Sequence, residues 1–216
     1  MNRKRTHRIF VADAQPVLRL GVRTLLADCA DLEVCGDGPP DERAIPQLLK
    51  ESAQVLLVDS SPQTPHGLDL VREAKHRAGI RILAWSSYAN RIYAKRALQS
   101  GADGFLSKSA SEKALITALR AVAAGRLHVD PEYGGADVEG ESNAEPEDRS
   151  IERLTDRELK VLTLIGQAMT TREVATELGV SPKTIETHRQ NIKQKLRLRS
   201  SVELAHQAFR WVHESN

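Results

Sequence analysis

Apolar and polar positions follow two periodic patterns along the first 126 residues. Short apolar runs that read as buried strands alternate with longer segments whose apolar residues recur at helical spacing. The apolar runs cover residues 8–12, 32–35, 55–58, 80–85 and 104–106, and the helical segments cover 17–29, 41–51, 67–77, 90–100 and 111–124. Near-continuous apolar strands alternating with helices are typical of a parallel sheet covered on both faces. We therefore predict an α/β domain over residues 7–126, with a five-stranded, doubly wound parallel sheet.

Residues 151–216 show only the helical periodicity. Thr155 with Glu158, and Thr170 with Glu173, match the capping-box pattern in which two side chains satisfy the free backbone groups at a helix start. An apolar stripe over residues 201–212 predicts a last helix. Together with the segment described next, these patterns predict a compact all-α domain of four helices.

The segment 178–196, LGVSPKTIETHRQNIKQKL, predicts the third of these helices. Gly179 suits the left-handed residue after a helix, Ser181 is a good N-cap and Pro182 suits the first helical position. Helical spacing gives this segment an apolar inner face and a polar outer face. The inner residues are Ile185, Ile192 and Leu196, with His188 beside them, and the outer residues are Lys183, Thr187, Gln190 and Gln194.

The outer face of this third helix is suited to DNA. Its amides and hydroxyl can hydrogen-bond with base edges in a major groove. Between residues 181 and 199, six lysines and arginines accompany a single acid, Glu186. A basic amphipathic pattern is also typical of an ordinary solvated helix, so the pattern alone leaves both interpretations open.

An acidic segment separates the two domains, although the net charge of the chain is only +2. Residues 127–150 carry eight acids and one arginine, with few apolar residues and many glycines, prolines and serines. A segment of this composition cannot bury enough apolar surface to fold alone. We therefore predict a flexible linker over residues 127–150, between a domain at 7–126 and a domain at 151–216.

The two cysteines and the apolar runs indicate a cytoplasmic protein. Cys29 and Cys35 form no paired motif, and no cysteine and histidine set has zinc-ligand spacing, so we interpret both as buried thiols in a reducing compartment. The apolar run after the basic start is too short for a signal peptide, and no stretch is long enough to span a membrane. We expect a soluble protein without a membrane partner.

Four strand ends of the first domain carry residues of complementary chemistry. Asp13, Asp59, Ser86 and Lys108 stand at the ends of the first, third, fourth and fifth predicted strands. Ligands of parallel α/β sheets bind at the carboxyl ends of the strands, so we expect these side chains to converge. Two carboxylates, a hydroxyl and an ammonium suit phosphoryl transfer to a carboxylate, with the acids holding a divalent cation.

The series VADAQ, VLLVD, ILAWSS and GADGFLSK, followed by ALRAVAAG, resembles the receiver domain of bacterial response regulators. The resemblance implies a flavodoxin-like fold, a histidine kinase as partner and Mg²⁺ at Asp13 and Asp59. It also implies four roles: Asp59 is the phosphoacceptor, Ser86 the switch hydroxyl, Phe105 the rotating aromatic and Lys108 the invariant lysine.

The resemblance fails at positions that matter for the metal. Receivers usually carry a second acid after the first strand, and here Ala14 follows Asp13. Pro62 and His66 also depart from the usual pattern after the acceptor. With one carboxylate fewer, Mg²⁺ should bind weakly or not at all. Two hypotheses follow: Asp59 accepts phosphate inefficiently, or the domain works largely without phosphorylation, which Ala14 favours.

The stretch from Leu154 to Ser200 resembles the DNA-binding domain of LuxR-type regulators, and with the receiver it resembles the NarL/FixJ class of response regulators. The resemblance implies a homodimer in contact through the fourth helix and a third helix in the major groove of double-stranded DNA. The expected base contacts are Lys183, Glu186, Thr187 and Gln190, and the expected phosphate contacts are Thr184, Arg189, Asn191 and Lys193, with Lys195 as a further candidate. His188 lies toward the apolar face, where we expect it to pack.

Three other classes of protein fit the sequence less well. A hydrolase with Asp59 as nucleophile usually needs a second acid two residues later, where this chain has Ser61, so we predict no enzyme activity. A quorum sensor with a lactone-binding first domain would not show the polar series at successive strand ends. A receiver-like scaffold that acts only through proteins is disfavoured by the intact third-helix segment. Within the third helix, Glu186 could select cytosine or repel phosphate, and the sequence does not separate the two.

Overall fold

The structure, a computed structural model, describes residues 6–62, 64, 66–134 and 151–213. The chain divides into two compact units, and the described residues 6–134 belong to the first and 151–213 to the second.

The first unit is a parallel sheet with the strand order β2-β1-β3-β4-β5-β6. Its strands are β1 His7–Ala12, β2 Leu32–Gly38, β3 Val55–Asp59, β4 Arg81–Ser86, β5 Gly104–Ser107 and β6 His128–Val129. Its helices are α1 Pro16–Ala27, α2 Ala44–Lys50, α3 Gly67–Ala78, α4 Arg91–Gln99 and α5 Glu112–Ala123. The predicted α/β alternation and parallel sheet are confirmed.

The main core of this unit lies between the sheet and the helices α1 and α5. Ile9, Val11 and Leu57 on the strands pack with Leu26 of α1 and Leu119 of α5. All five side chains are essentially inaccessible to solvent. The central strand β3 is buried at every position, as expected for a parallel strand covered on both faces. This burial fixes the strands and therefore the positions of the residues at their carboxyl ends.

The sheet has one strand more than the five that the sequence predicts. His128 and Val129 form β6, which pairs with Gly104 and Phe105 of β5. These residues fall in the predicted linker, of which the structure describes 127–134, whereas 135–150 lie outside the described residues. The sequence did not predict this strand, because two residues are too few to give a periodic signal and the segment around them is acidic.

The described part of the second unit contains the four predicted helices, α6 Asp156–Gly166, α7 Thr171–Glu177, α8 Pro182–Lys195 and α9 Ser201–His213. Both capping boxes are confirmed, because Thr155 and Thr170 each exchange hydrogen bonds with the glutamate three residues later. Gly179 adopts the left-handed conformation, with φ of 63°, and the Ser181 side chain accepts a hydrogen bond from the Thr184 amide at the start of α8.

The helices α6 and α9 make the closest contact in the second unit. A Cβ atom on Gly166 would overlap the Ala208 carbonyl oxygen and would lie 2.6 Å from Val212 Cγ2. The Trp211 indole donates a hydrogen bond of 3.0 Å to the buried Thr163 hydroxyl, which in turn donates to the Leu159 carbonyl. Only a glycine allows the two backbones to approach this closely.

The two cysteines are free thiols, and each is half-buried rather than fully buried as predicted. The Cys35 thiol donates a weak hydrogen bond to the Ile9 carbonyl, and burial raises its pKa. A thiol with a raised pKa is mostly protonated and therefore poorly reactive.

Candidate functional site

The carboxyl ends of the strands bring three of the predicted residues into direct contact. Asp13 follows β1, Asp59 ends β3 and Lys108 follows β5. The Lys108 ammonium lies 2.7 Å from Asp13 Oδ2 and 2.9 Å from Asp59 Oδ2. The three side chains are at most 7% exposed, so their charges interact with little screening by water. We call Asp13, Asp59 and Lys108 the acid–lysine cluster.

The acid–lysine cluster holds two carboxylates against one ammonium. Burial raises the pKa of Asp13, although its bond to Lys108 and the Gln15 amide opposes the effect. A buried carboxylate that is costly to ionise takes up a proton more readily than one in water. The cluster therefore holds one carboxylate more than its single ammonium can neutralise.

The loop after β3 adds two hydroxyl residues to the surroundings of Asp59. Asp59 Oδ1 accepts a hydrogen bond of 2.9 Å from the Ser61 amide, and Oδ2 accepts one from the Thr64 hydroxyl. Thr64 and Ser61 are each 4% exposed. Neither contact was predicted, because the loop has no periodicity and its hydroxyl residues could equally have faced solvent.

Ser86, the fourth predicted residue, is connected to Asp59 through Ser61. Its hydroxyl donates to the Tyr88 carbonyl at 2.9 Å, accepts from the Tyr88 amide at 3.0 Å and lies 3.4 Å from Ser61 Oγ. Ser61 Oγ also accepts a bond of 2.9 Å from the Ser87 amide. Ser61 therefore joins the acceptor position to the loop that carries Ser86.

The residues at this edge of the sheet do not fit a magnesium site. Mg²⁺ prefers octahedral oxygen ligands, usually including carboxylates. Here Lys108 lies between the two available carboxylates, and Ala14 supplies no oxygen from its side chain. Within the described residues, no group of three or more acid, histidine or cysteine side chains is arranged to hold a metal ion.

Two aromatic residues lie on the neighbouring strands β4 and β5. The Lys108 ammonium lies 5.2 Å from the centre of the Trp85 ring, within the range of a cation–π interaction. Phe105 on β5 is fully buried and meets Tyr133 edge to face, with 6.3 Å between ring centres. Tyr133 follows β6, so the unpredicted sixth strand brings an aromatic ring onto the predicted rotating residue.

The second predicted site is the outer surface of α8. Ile185 and Ile192 are fully buried and hold the helix on its domain. The exposed predicted residues are Lys183, Thr184, Glu186, Thr187 and Gln190, and the half-buried ones are Arg189, Asn191 and Lys193. The helix therefore presents to solvent the same polar row that the sequence placed on its outer face.

Two residues near the inner face of α8 are engaged within the domain. His188 is half-buried, and burial together with the neighbouring Arg157 charge lowers its pKa. The Lys195 ammonium lies 2.6 Å from Glu158 Oε2, and Glu158 is 3% exposed. The Lys195 ammonium thus neutralises a buried acid at the start of α6. Its expected phosphate contact stays a prediction.

Glu186 is held by two contacts on the outer surface. Its Oε1 accepts a hydrogen bond of 2.9 Å from the Thr171 hydroxyl, and its Oε2 lies 3.8 Å from Arg189 Nε. Thr171 is the first residue of α7. The carboxylate is therefore oriented by the helix that precedes α8.

Two family models match the chain in the same order as its two units. The model described as "Response regulator receiver domain" matches residues 9–120, and the model described as "Bacterial regulatory proteins, luxR family" matches residues 152–208. Among the described residues, no helix is both long and apolar enough to cross a membrane.

Relatives match over nearly the whole chain. The transcriptional regulatory protein UhpA of Salmonella typhimurium is 32% identical over 93% of this chain and 97% of its own length. The oxygen regulatory protein NreC of Staphylococcus carnosus is 30% identical over 94% of this chain and 97% of its own. A solved structure of the RcsB response regulator of Salmonella typhimurium shares the fold, with 22% identity and a TM-score of 0.65. The match covers 94% of this chain and 96% of the RcsB chain.

The order of the domains, the parallel sheet and the four-helix domain all agree with these matches. This chain belongs to the NarL/FixJ-type response regulators: it is a DNA-binding transcriptional regulator with a receiver domain followed by a LuxR-type helix-turn-helix domain.

Proposed function

We propose that α8 lies in the major groove and reads sequence with Lys183, Glu186, Thr187 and Gln190. Thr184, Arg189, Asn191 and Lys193 are assigned to the phosphates. The observation that carries the proposal is the exposed polar row of α8, which Ile185 and Ile192 anchor to the domain. Side chains that hydrogen-bond to base edges distinguish sequences, whereas side chains that contact phosphates fix the position of the protein on the backbone.

Gln190→Ala should lower the affinity for the preferred site by about tenfold while leaving the affinity for random DNA unchanged. An amide that bonds to a base edge contributes roughly 1–3 kcal/mol of discrimination. Binding constants on both kinds of DNA, measured by fluorescence anisotropy, check this result. Gln194→Ala is a matched control, because Gln194 is exposed on the same helix and has no assigned contact. Equal losses of affinity on both DNAs would refute the base contact.

Lys193→Ala should weaken binding to every DNA sequence. One phosphate contact fewer should reduce the slope of log affinity against log salt by about one. The measurement is the same titration at several salt concentrations. Lys113→Ala, which removes an exposed lysine from the receiver, serves as control and should leave the slope unchanged.

We further propose that the protein acts in the cytoplasm as a homodimer with α9 as contact. Val202 and Phe209 of α9 are 78% and 54% exposed, which supports an apolar contact there. A two-fold dimer would bind half-sites about 34 Å apart, and its symmetry implies an inverted-repeat operator. Sedimentation of the full chain with DNA duplexes of one and two half-sites tests this arrangement.

For the receiver, we propose that Asp59 accepts a phosphoryl group slowly, from a histidine kinase or a small phosphodonor. A carboxylate oxygen of Asp59 forms the new bond to phosphorus while the bond from phosphorus to the donor breaks, and the donor leaves with that electron pair. The convergence of Asp59 with Lys108 and the nearby Ser86 supports this role. Slow transfer is expected because one ammonium, that of Lys108, opposes the charges of two carboxylates, those of Asp13 and Asp59.

Incubation with acetyl phosphate, followed by intact-mass spectrometry, tests the acceptor. Wild type should gain one phosphoryl group slowly, Asp59→Ala should gain none, and Ala14→Asp should gain it about tenfold faster in Mg²⁺. The added carboxylate restores the ligand that receivers usually carry, and Mg²⁺ affinity depends on the number of charged ligands. A wild type that stays unmodified with every phosphodonor would favour the second hypothesis, in which the receiver works without phosphate.

A hydrolase that uses Asp59 is the alternative from another class of protein. Ser61 occupies the position of its second acid, and the Ser61 hydroxyl bonds to the Ser87 amide. A serine held in this way is a poor general acid or base, because its hydroxyl does not titrate near neutral pH. We therefore assign the pocket to regulation.

A further inference from the structure

Thr64 is the one side chain of the loop after β3 whose hydroxyl bonds directly to the acceptor carboxylate, as far as the described residues of that loop extend. The bond joins Thr64 Oγ1 to Asp59 Oδ2, the same oxygen that lies 2.9 Å from Lys108 Nζ. Both partners are almost fully buried, with 4% of Thr64 and 3% of Asp59 exposed. In such surroundings a hydrogen bond to a charged group is strong, because no water replaces it when it breaks.

The backbone around Thr64 holds the hydroxyl in place. The Thr64 amide donates a bond of 2.9 Å to the Ser61 carbonyl, and the Ser60 amide donates one of 2.9 Å to the Trp85 carbonyl. At the other end of the loop, Gly67 begins α3 so close to Asp59 that a Cβ atom there would overlap the Asp59 carbonyl oxygen. The loop is thus anchored on both sides of Thr64.

This arrangement engages both oxygens of the acceptor. Oδ1 accepts the Ser61 amide, which is a fixed part of the backbone, and Oδ2 accepts Thr64 and faces Lys108. A carboxylate that attacks phosphorus must offer a free lone pair, and each donated hydrogen bond makes that pair less available. Of these two hydrogen-bond donors, the Ser61 amide is fixed in the backbone, whereas the Thr64 hydroxyl can be withdrawn by rotating one side-chain bond.

We propose that Thr64 is a positioning residue that restrains Asp59, and that its hydroxyl must leave Oδ2 before phosphoryl transfer. This proposal rests on the proposed function of Asp59 as phosphoacceptor. The restraint acts through Asp59, so Thr64 need not touch the phosphodonor. It offers a second reason for slow transfer, separate from the missing carboxylate at position 14.

Three variants test the restraint in the full-length protein. Thr64→Val keeps the size of the side chain and removes the donor, Thr64→Ser keeps the donor, and Thr64→Ala removes the donor with less bulk should valine disturb the loop. The rate of modification by acetyl phosphate is followed by intact mass over a range of donor concentrations. Asp59→Ala provides the background of modification at other sites.

Thr64→Val and Thr64→Ala should raise the maximal rate about tenfold, the effect of one hydrogen bond to a charged group. The half-saturating acetyl phosphate concentration should not change, and Thr64→Ser should keep the wild-type rate. A merely structural role would alter half-saturation or melting temperature without raising the maximal rate.

Each other outcome overturns the proposal in a recognisable way. The restraint is overturned if Thr64→Val and Thr64→Ala are modified no faster than wild type, or if Thr64→Ser is modified as fast as Thr64→Val. Either result leaves Asp59 as acceptor. Absence of Asp59-dependent modification in wild type and in all three variants overturns the acceptor role and the restraint together.

Discussion

Gly166→Ala should strongly destabilise or unfold the DNA-binding domain while the receiver stays folded. The new methyl group would overlap the Ala208 carbonyl oxygen, so α6 and α9 would have to separate. Forcing extra volume into a packed contact costs about 1–3 kcal/mol and sometimes more, and the backbone atom involved cannot rotate away. A domain of this small size has little stability to lose.

Two unfolding transitions followed by circular dichroism check this result. The transition of the DNA-binding domain should move to a lower denaturant concentration or vanish, and DNA binding should be lost with it. Gly21→Ala is the matched control, because a Cβ atom at this helical position meets nothing within 4 Å. It should stabilise α1 by up to about 1 kcal/mol. Unchanged stability in Gly166→Ala would show that α6 and α9 can adjust.

Lys108→Met should destabilise the receiver at neutral pH by about 3 kcal/mol or more. Removing one partner of a buried ion pair leaves an uncompensated charge, which typically costs 3–5 kcal/mol. Here two carboxylates, those of Asp13 and Asp59, would lose the ammonium that lies within 3 Å of both. Urea unfolding of the receiver at pH 7 measures the loss.

The loss in Lys108→Met should shrink as the pH falls. The pKa of Asp13 is already raised in the folded wild type by burial, and Lys108 is the largest influence that opposes the rise. Without Lys108 the pKa must rise further, so Asp13 protonates sooner on acidification and its unpaired charge disappears. The stability gained by protonating Asp13 is complete below the pKa that Asp13 has in the unfolded chain. It is lost as the pH rises through the higher pKa that Asp13 has in the folded protein.

A double substitution separates this explanation from a loss of packing. Asp13→Asn in the Lys108→Met background should recover part of the stability at pH 7 and should flatten the pH dependence. An equal loss of stability at pH 5 and pH 7 in Lys108→Met alone would contradict the electrostatic account.

The sequence predicted those features that depend on one element or on parallel geometry. Asp13, Asp59 and Lys108 were expected to converge because parallel strands end at the same edge of a sheet. The starts of α6 and α7 followed from two four-residue capping patterns, which the structure confirms. Burial of Ile185 and Ile192 followed from helical spacing alone.

The features that escaped prediction depend on contacts between distant residues or on the path of an irregular loop. Lys195 pairs with Glu158 across 37 positions of the chain, and no local pattern marks that pairing. The Thr64 bond to Asp59 depends on how an irregular loop turns, which composition does not determine. At position 14 the sequence alone shows that the side chain has no oxygen to offer a metal, because the residue is an alanine.

The short strand β6 also determines where the receiver can be cut from the rest of the chain. His128 and Val129 cover the outer edge of β5, whose backbone N–H and C=O groups would otherwise face solvent. Uncovered strand edges pair with strands of other molecules and lead to aggregation. A receiver fragment that ends at residue 126, where helical periodicity ends, would expose that edge and would lack the contact between Tyr133 and Phe105. A fragment that extends through Gly134 keeps both the covering strand and the contact.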